Sequence, residues 1–367
     1  MASAIWVNFR AADRMSVKTR ANKQSGATIK DVAQHAGVSA MTVSRVLNAE
    51  ANVRPETRER VQAAIRDLNY RPNLSARNLA RANTYFIGLL YDNPSAGYIS
   101  ELLIGALNRC RKAGYHLIVE SCGSAGEDWE DAIADMLRTS NFDGVIMPPP
   151  VCDNAAVLDA VSAAGLPHVR IAPDTDPDRS PLVATDDRAA ARSMTEYLLE
   201  LGHRRIAFIE GPDGHGASRE RLAGFRDAIA ASGVAPDPDL VVPGAFTYRS
   251  GLEAAERLLS SDNRPTAIFA SNDDMAVAVI AMAHRFSLDV PRELTVVGFD
   301  DTQTATAIWP QLTTVRQPIA GMAAEAVDLL AADLDARRGG EAGDGTGRRE
   351  IRSQIIVRDS SAAPPAG

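Results

Sequence analysis

One stretch of this chain, residues 28–48 (TIKDVAQHAGVSAMTVSRVLN), constrains the fold most, because it predicts two short helices joined by a tight turn. Thr28 is a suitable N-cap for the first helix, and Asp31 follows where a carboxylate favours a helix N-terminus. Gly37 can adopt the left-handed conformation that ends a helix, and Ser39 can cap the second helix. The apolar residues recur at helical spacing, and they are Ile29, Val32, Ala33, Val43, Val46 and Leu47. This pattern predicts a helix-turn-helix.

A third helix is predicted from Pro55, since proline is favoured in the first turn of a helix. Its apolar stripe is Val61, Ala64, Ile65 and Leu68. In such a unit the second helix enters the DNA major groove. Arg45 is the strong base reader of that helix, because its guanidinium suits O6 and N7 of a guanine. The residues of this unit predicted to contact DNA are Thr28, Ser39, Ala40, Met41, Thr42, Ser44, Arg45 and Asn48. A three-helix bundle that binds protein is the alternative.

The charge distribution favours DNA as the partner, although the net charge of −8 does not. Residues 1–25 carry a net charge of +4 and residues 26–82 another +4, so the remaining residues carry −16. A basic end on an acidic body is the arrangement expected when only one end of a protein touches phosphate.

From Tyr85 onward, short apolar runs alternate with helical segments, which predicts an α/β body of parallel sheets with helices on both faces. The predicted strands are 86–91, 116–120, 144–148, 168–171, 205–210, 267–270 and 295–300. The predicted helices include 98–113, 187–201, 216–232, 247–260 and 273–285. Ligands of such sheets bind beyond the carboxyl ends of the strands. Polar residues stand there at Asn93, Asn272 and Asp300, and they suit a polyol, whose hydroxyls both donate and accept.

The helix-turn-helix stretch and its continuation, VRPETRERVQAAIRDLNYRPN, resemble the head of the LacI/GalR family of repressors, and weaker similarity extends to about residue 358. The resemblance implies a periplasmic-binding-protein-like body of two lobes with the effector between them. It also implies a hinge that contacts DNA through Asn73, Ala76 and Leu79, with Leu79 as a wedge in the minor groove. Its implied effector contacts are Arg221, Asn272, Asp300 and Gln317. We add Asn93, and Tyr98 and Phe246 as an apolar face for a sugar ring.

The predicted organisation has five parts. They are a flexible basic extension (1–26), the helix-turn-helix domain (27–72), the hinge (73–83), the effector-binding and dimerisation domain (84–360) and a disordered tail (361–367). We expect the lobes to divide near 185 and 315. Residues 333–349 predict a loose loop before a last strand in IRSQIIVR. Because no leucine heptad follows that strand, a dimer is expected rather than a tetramer.

Several classes of protein are disfavoured. Cys110, Cys122 and Cys152 show no CxxC spacing, so neither a disulfide framework nor a zinc site is expected. No apolar run reaches membrane-spanning length and no secretion signal is evident, so we expect a cytoplasmic protein. The common catalytic and cofactor motifs are missing, and the acidic pairs Asp186–Asp187 and Asp273–Asp274 suit helix starts.

The sequence therefore predicts a transcription regulator, a repressor of carbohydrate-utilisation genes. It would bind a palindromic operator as a homodimer under the control of a mono- or disaccharide, with no cofactor and no metal. The alternatives are a sugar-binding or sugar-sensing protein without DNA activity, and a sugar-processing enzyme.

Overall fold

The computed structural model describes residues 27–47, 53–70, 84–123, 129–340 and 347–365. The chain forms two compact units, residues 1–82 and residues 83–367, which we call the head and the body. The predicted DNA contacts Asn48, Asn73, Ala76 and Leu79 lie outside the described residues.

The head consists of three helices, α1 (Ile29–Ala36), α2 (Ala40–Leu47) and α3 (Pro55–Asp67). The Thr28 hydroxyl accepts the Asp31 backbone N–H at 3.4 Å, and the Asp31 carboxylate accepts the Thr28 N–H at 2.7 Å. Gly37 ends α1 with φ 65° and ψ 39°, and the Ser39 hydroxyl accepts the Thr42 N–H at 3.1 Å. The predicted caps are confirmed. The small core that joins the helices is built from Val32, Ala33, Ala36, Val43, Val46, Val61 and Ala64.

The body contains two lobes, each built on a six-stranded sheet. The N-lobe strands are β1 (Phe86–Tyr91), β2 (His116–Ser121), β3 (Gly144–Met147), β4 (His168–Ile171), β5 (Leu182–Ala184) and β11 (Arg348–Glu350). The N-lobe helices are α4 (Ala96–Ala113), α5 (Trp129–Thr139), α6 (Ala155–Ala163) and α12 (Ile319–Arg338). Its strand order is β11-β5-β4-β3-β1-β2, and all neighbouring strands are parallel.

The C-lobe repeats this arrangement. Its strands are β6 (Ile206–Ile209), β7 (Val241–Val242), β8 (Ala267–Ala270), β9 (Thr295–Asp300), β10 (Thr313–Arg316) and β12 (Gln354–Ile356), in the order β12-β10-β9-β8-β6-β7. Its helices are α7 (Asp187–Glu200), α8 (Gly216–Ser232), α9 (Tyr248–Leu259), α10 (Asp273–Arg285) and α11 (Thr304–Ala307). Among the strands in the described part of the chain, β12 alone runs antiparallel to its neighbour, β10. Continuous apolar strands such as β8, buried over its full length, are typical of parallel sheets covered on both faces.

The chain passes between the lobes three times, near residue 185, near residue 317 and at residues 351–353. The first two crossings lie close to the division expected from the sequence. The third follows β11, a three-residue edge strand that begins within the loop expected over residues 333–349 and was not predicted.

Two predictions for the C-terminal region are wrong. The loop expected over 333–349 is helical up to Arg338, because α12 buries residues such as Leu330 and Leu334 against the N-lobe sheet. The tail expected to be disordered from residue 361 is bound to the C-lobe over its described part. The carbonyl of Ala362 accepts hydrogen bonds from Thr295 Oγ1 at 3.0 Å and lies 2.9 Å from His203 Nε2. These contacts satisfy polar groups that the sheet would otherwise bury alone.

Candidate functional site

The outer surface of α2 carries the predicted DNA-reading side chains. Met41, with 65% of its surface exposed, and Arg45 point away from the buried Val43 and Val46. The hydroxyls of Thr28 and Ser39 are already used as helix caps, and Thr42 Oγ1 lies 2.9 Å from Ser39 Oγ. The exposed face of α2 therefore offers one long cationic side chain and one long apolar side chain.

A cleft between the two lobes brings together all seven predicted effector residues. It lies at the carboxyl ends of the strands, as expected for open parallel sheets. The lining side chains are Asn93, Ser95, Tyr98, Pro149, Ala172, Asp187, His215, Ala217, Arg221, Phe246, Asn272, Asp300 and Gln317. The cavity between them is small, since about 30 Å³ of it admits the centre of a water molecule. The walls stand close together, so a ring-sized molecule requires the lobes to move apart.

Arg221, on α8, is the central charged group of the cleft. Its Nε donates to Asp187 Oδ2 at 3.0 Å, and its Nη1 donates to the carbonyl of Ser271 at 2.6 Å. Its Nη2 lies 3.6 Å from Asp300 Oδ1, and the guanidinium carbon lies 3.7 Å above the centre of the Phe299 ring. Only 5% of the side chain is exposed. These contacts hold a planar positive charge in one orientation.

Asp187 connects this charge to Gln317. Its Oδ1 accepts Gln317 Nε2 at 3.0 Å and Thr185 Oγ1 at 2.8 Å. Both Asp186 and Asp187 were expected to be helix caps, which is correct only for Asp186, whose carboxylate accepts the Ala189 N–H. Asp187 was missed because β5, the strand before it, has only three residues.

Asp300 ends β9 in a backbone conformation that is strained for a non-glycine residue, with φ 113°. Burial raises the pKa of its carboxyl well above the ordinary value, Arg221 opposes this shift, and the nearby Asp273 carboxyl adds to it. Asp273 lies behind the cleft and accepts hydrogen bonds from the Thr302 N–H at 2.7 Å and from Thr314 Oγ1 at 2.6 Å. Its pKa is raised to about 7, mainly by burial. The C-lobe therefore concentrates carboxyl groups at the end of its sheet.

The two predicted asparagines shape the walls of the cleft. Asn272 caps α10, since its Oδ1 accepts the Met275 N–H at 3.0 Å, and its Nδ2 donates to the Phe246 carbonyl at 3.1 Å. Asn93 accepts the Ser95 N–H at 2.9 Å and donates to the Pro149 carbonyl at 3.2 Å. Both side chains make hydrogen bonds within the protein through their oxygen and their nitrogen.

The aromatic side chains of Tyr98, His215 and Phe246 also line the cleft. The ring of Phe246 lies edge-to-face with His215, 5.4 Å between centres. Burial lowers the pKa of His215 to about 4, so the imidazole is neutral at physiological pH. Burial also raises the pKa of Tyr98, so its hydroxyl keeps its proton. His215 was missed because nothing in the sequence distinguishes it from a histidine preceding a helix.

Three atoms that line the cleft are buried without a hydrogen-bond partner in the structure: Tyr98 OH, Asp300 Oδ1 and Gln317 Oε1. Buried polar atoms in folded proteins nearly always have a partner. Their convergence on one cavity indicates a binding site for a polar small molecule.

Three further features of the described residues concern metal ligands, disulfides and membrane-spanning helices. They contain no group of three or more His, Cys, Asp or Glu side chains that could hold a metal ion. Cys110, Cys122 and Cys152 are free and buried. Of the helices in the described ranges, none is long and apolar enough to cross a membrane.

Comparison with known proteins agrees with both parts of the fold, the head and the body. Residues 28–73 match the bacterial regulatory proteins of the lacI family, and residues 195–361 match the periplasmic binding protein-like domain. Catabolite control protein A of Priestia megaterium is 35% identical over 308 residues, which are 83% of this chain and 91% of that protein. The chain belongs to the LacI family.

Solved structures of LacI-family regulators share its architecture. The Lac repressor dimer bound to operator and the anti-inducer ONPF matches with a TM-score of 0.77 and 27% identity, over 92% of this chain and 100% of that one. The complex of the transcriptional regulator CelR with cellobiose matches with a TM-score of 0.69 and 30% identity, over 91% and 99%. This LacI-family protein is a DNA-binding transcription regulator with an effector-binding domain, as the sequence predicts.

Proposed function

We propose that this regulator represses carbohydrate-utilisation genes by binding a palindromic operator as a homodimer, and that a sugar bound in the cleft controls its affinity for DNA. The observation that carries the effector part is the set of buried polar atoms without a hydrogen-bond partner on Tyr98, Asp300 and Gln317, which line the cleft together with the Phe246 ring. Hydroxyl groups can satisfy all three atoms, and a ring face can pack on an aromatic side chain.

The DNA part is supported by the exposed face of α2 and by the family. Two-fold symmetry in the protein requires two half-sites in the DNA, and the Lac repressor neighbour is a dimer on its operator. The neighbour CelR was solved with cellobiose. We propose that the present protein acts likewise in the cytoplasm and binds its sugar without chemically changing it.

Arg45 provides the sharpest test of the DNA contacts. In mobility-shift titrations on palindromic DNA, Arg45→Ala should lose discrimination at one base position by about 1–3 kcal/mol, since a bidentate guanine contact is lost. Arg66→Ala, an equal change of charge at an exposed position of α3, is the control. Equal weakening on all sequences would show that Arg45 contacts phosphate only.

Salt dependence separates this proposal from a sugar-binding protein without DNA activity. Binding through several phosphates weakens steeply as the salt concentration rises. An affinity for DNA that does not change between low and physiological salt would contradict the proposal.

The role of Leu79 as a wedge in the minor groove stays a prediction. The Leu79→Ala protein should bind DNA without kinking it, and a DNA bend angle equal to that of the parent complex would disprove the wedge.

A further inference from the structure

The first described residues of the body, Thr84 and Tyr85, are held by the carboxylate of Asp143. Asp143 Oδ1 accepts the Thr84 N–H and the Thr84 hydroxyl, both at 2.8 Å, and Asp143 Oδ2 accepts the Tyr85 N–H at 2.8 Å. The Asp143 side chain is 8% exposed, so little water competes for these bonds. Tyr85 adopts φ 59°, a strained conformation for a bulky residue that the surrounding contacts must maintain.

Arg338, the last residue of α12, binds the same group from a distant part of the sequence. Its Nη2 donates to Asp143 Oδ2 at 3.3 Å, and its Nη1 donates to the Tyr115 hydroxyl at 2.9 Å. Its guanidinium carbon lies 5.0 Å from the centre of the Tyr85 ring and 5.4 Å from that of Tyr115. Both distances suit attraction between a cation and an aromatic ring. We call Tyr85, Tyr115, Asp143 and Arg338 the entry cluster.

The other end of α12 begins at the cleft. Gln317, two residues before the helix, lines the cleft and donates through Nε2 to Asp187 Oδ1 at 3.0 Å. The Ile319 N–H donates to the Gln317 carbonyl at 2.8 Å, which ties this cleft residue to the first turn of the helix. The helix has 20 residues and is therefore about 30 Å long. One helix thus joins the cleft to the entry cluster.

The packing of α12 suits it to transmit a displacement. Its buried side chains recur along the whole helix and belong to the N-lobe core, and they are Ile319, Met322, Ala323, Ala326, Val327, Leu330 and Leu334. Close-packed interiors have low compressibility and transmit strain. A movement at one end of α12 should therefore reach the other end.

We propose that α12 couples the cleft to DNA binding and that Arg338 is a positioning residue for this coupling. A rearrangement at Gln317 moves α12, and Arg338 passes the movement to Asp143 and Tyr85, next to the point where the chain continues from the DNA-binding head into the body. This inference rests on the proposed control of DNA affinity by the cleft and assigns a route to it.

The test uses DNA as the ligand and the cleft as the readout, because coupling between two sites is reciprocal. Hydrogen exchange followed by mass spectrometry is measured on the full-length protein, alone and with a palindromic duplex that the protein selects from a random pool. We expect the duplex to change exchange in residues 215–221 and 319–338 by about fivefold or more, the lower end of typical coupling. A change in 215–221 without one in 319–338 would overturn the route through α12 and leave control by the cleft intact.

The remaining outcomes separate this inference from the proposed function. No change in either segment of a protein that binds the duplex would overturn control by the cleft and the inference with it. A protein that selects no duplex would overturn the operator binding from which both start.

A variant assigns the coupling to Arg338. Arg338→Gln removes the charge from the entry cluster, so the DNA-induced change in residues 215–221 should disappear. Arg337→Gln, the same change one position earlier at a half-exposed ion pair with Asp333, is the matched control and should keep it. A purely structural role would lower the melting temperature and leave the DNA-induced change intact, and that result would overturn the role of Arg338. If Arg338→Gln does not fold, Tyr115→Phe, which removes one partner of Arg338 and keeps the ring, replaces it, and a full change in that variant would overturn the role.

Discussion

The two lobes of the body share one sheet order but contribute different chemistry to the cleft. The N-lobe supplies neutral groups, namely Asn93, Ser95, Tyr98, Pro149 and Ala172. The C-lobe supplies every charged lining group, and the three aspartates buried among the described residues all belong to it, namely Asp187, Asp273 and Asp300. Equivalent topology therefore does not give equivalent recognition. All the charged groups that can orient a ligand in the cleft therefore come from the C-lobe.

Removing the positive charge of Arg221 should have the largest effect on stability. It tests the difference between the lobes, because Arg221 and its ion-pair partners all belong to the C-lobe. Arg221→Ala leaves Asp187 and Asp300 buried without their cation, which typically costs about 3–5 kcal/mol. Hydrogen exchange followed by mass spectrometry should show reduced protection in the C-lobe, with the N-lobe less affected. Arg249→Ala, at an exposed ion pair with Glu253, is the control and should change stability by less than about 1 kcal/mol. Equal loss of protection in both lobes would show that the charge cluster supports the whole body.

Two glycines, one in each lobe, test whether the lobes pack their helices in the same way. A Cβ at Gly105 of α4 would lie 2.1 Å from the carbonyl oxygen of Ala320 in α12, and a Cβ at Gly224 of α8 would lie 2.1 Å from that of Arg188 in α7. Each helix pair therefore requires glycine at its crossing. We expect Gly105→Ala and Gly224→Ala each to destabilise their own lobe by about 1–3 kcal/mol or more, because the helices must separate.

The control for both is Gly321→Ala in α12, where the nearest atom to the new Cβ is 3.8 Å away. This change should be neutral or stabilise the helix slightly. The melting temperature and the protection of each helix pair provide the measurement. If alanine at Gly105 or at Gly224 is tolerated as well as alanine at Gly321, the two lobes do not share a requirement for glycine where their helices pack.

The last prediction is a pH dependence of the free energy of unfolding that originates in the C-lobe. The pKa of Asp273 is about 7 in the folded protein, against an ordinary value of 3.8, because of burial. Below the ordinary value both states hold the proton. Between about pH 3.8 and 7 the unfolded chain has lost its proton while the folded protein keeps it, so the stability contributed by the protonated group is lost over this interval and the loss is complete above about pH 7. Asp273→Asn should therefore gain stability relative to the parent protein as pH rises from 4 to 7, and the difference should stay constant above about pH 7. Asp289→Asn, at an exposed surface position, is the control, and its stability relative to the parent protein should not change with pH. If Asp273→Asn also showed no change with pH, the Asp273 carboxyl would be ionised throughout and the prediction would be wrong.

The sequence predicted the head better than the body because the head is determined by local chemistry. The caps at Thr28, Gly37 and Ser39 involve residues within a few positions of their partners. The strand-end rule and the family resemblance together placed seven residues in one cleft, but they missed Asp187 and His215. Asp187 has partners 34 and 130 residues away, and such contacts leave no local pattern.

The tail shows the same limit. Ser360 to Ala362 have the small, polar composition of a disordered end, yet the Thr313 N–H donates to Ser360 Oγ at 2.8 Å and Ala362 bonds Thr295. A segment of low hydrophobicity becomes ordered when a sheet presents polar groups that need partners. Composition alone cannot show that need, since the sheet is formed by distant parts of the chain.

The three passages of the chain between the lobes determine how this protein can be recombined. The head and the body are separate stretches of sequence that meet near residue 83, so a chimaera needs a single junction to give this body the DNA specificity of a relative. Neither lobe is one stretch, because the chain leaves and re-enters each of them. A change of effector specificity by recombination must therefore exchange the whole block from about residue 84 to 365. Within that block, substitutions of the side chains that line the cleft can change specificity without any exchange of chain segments.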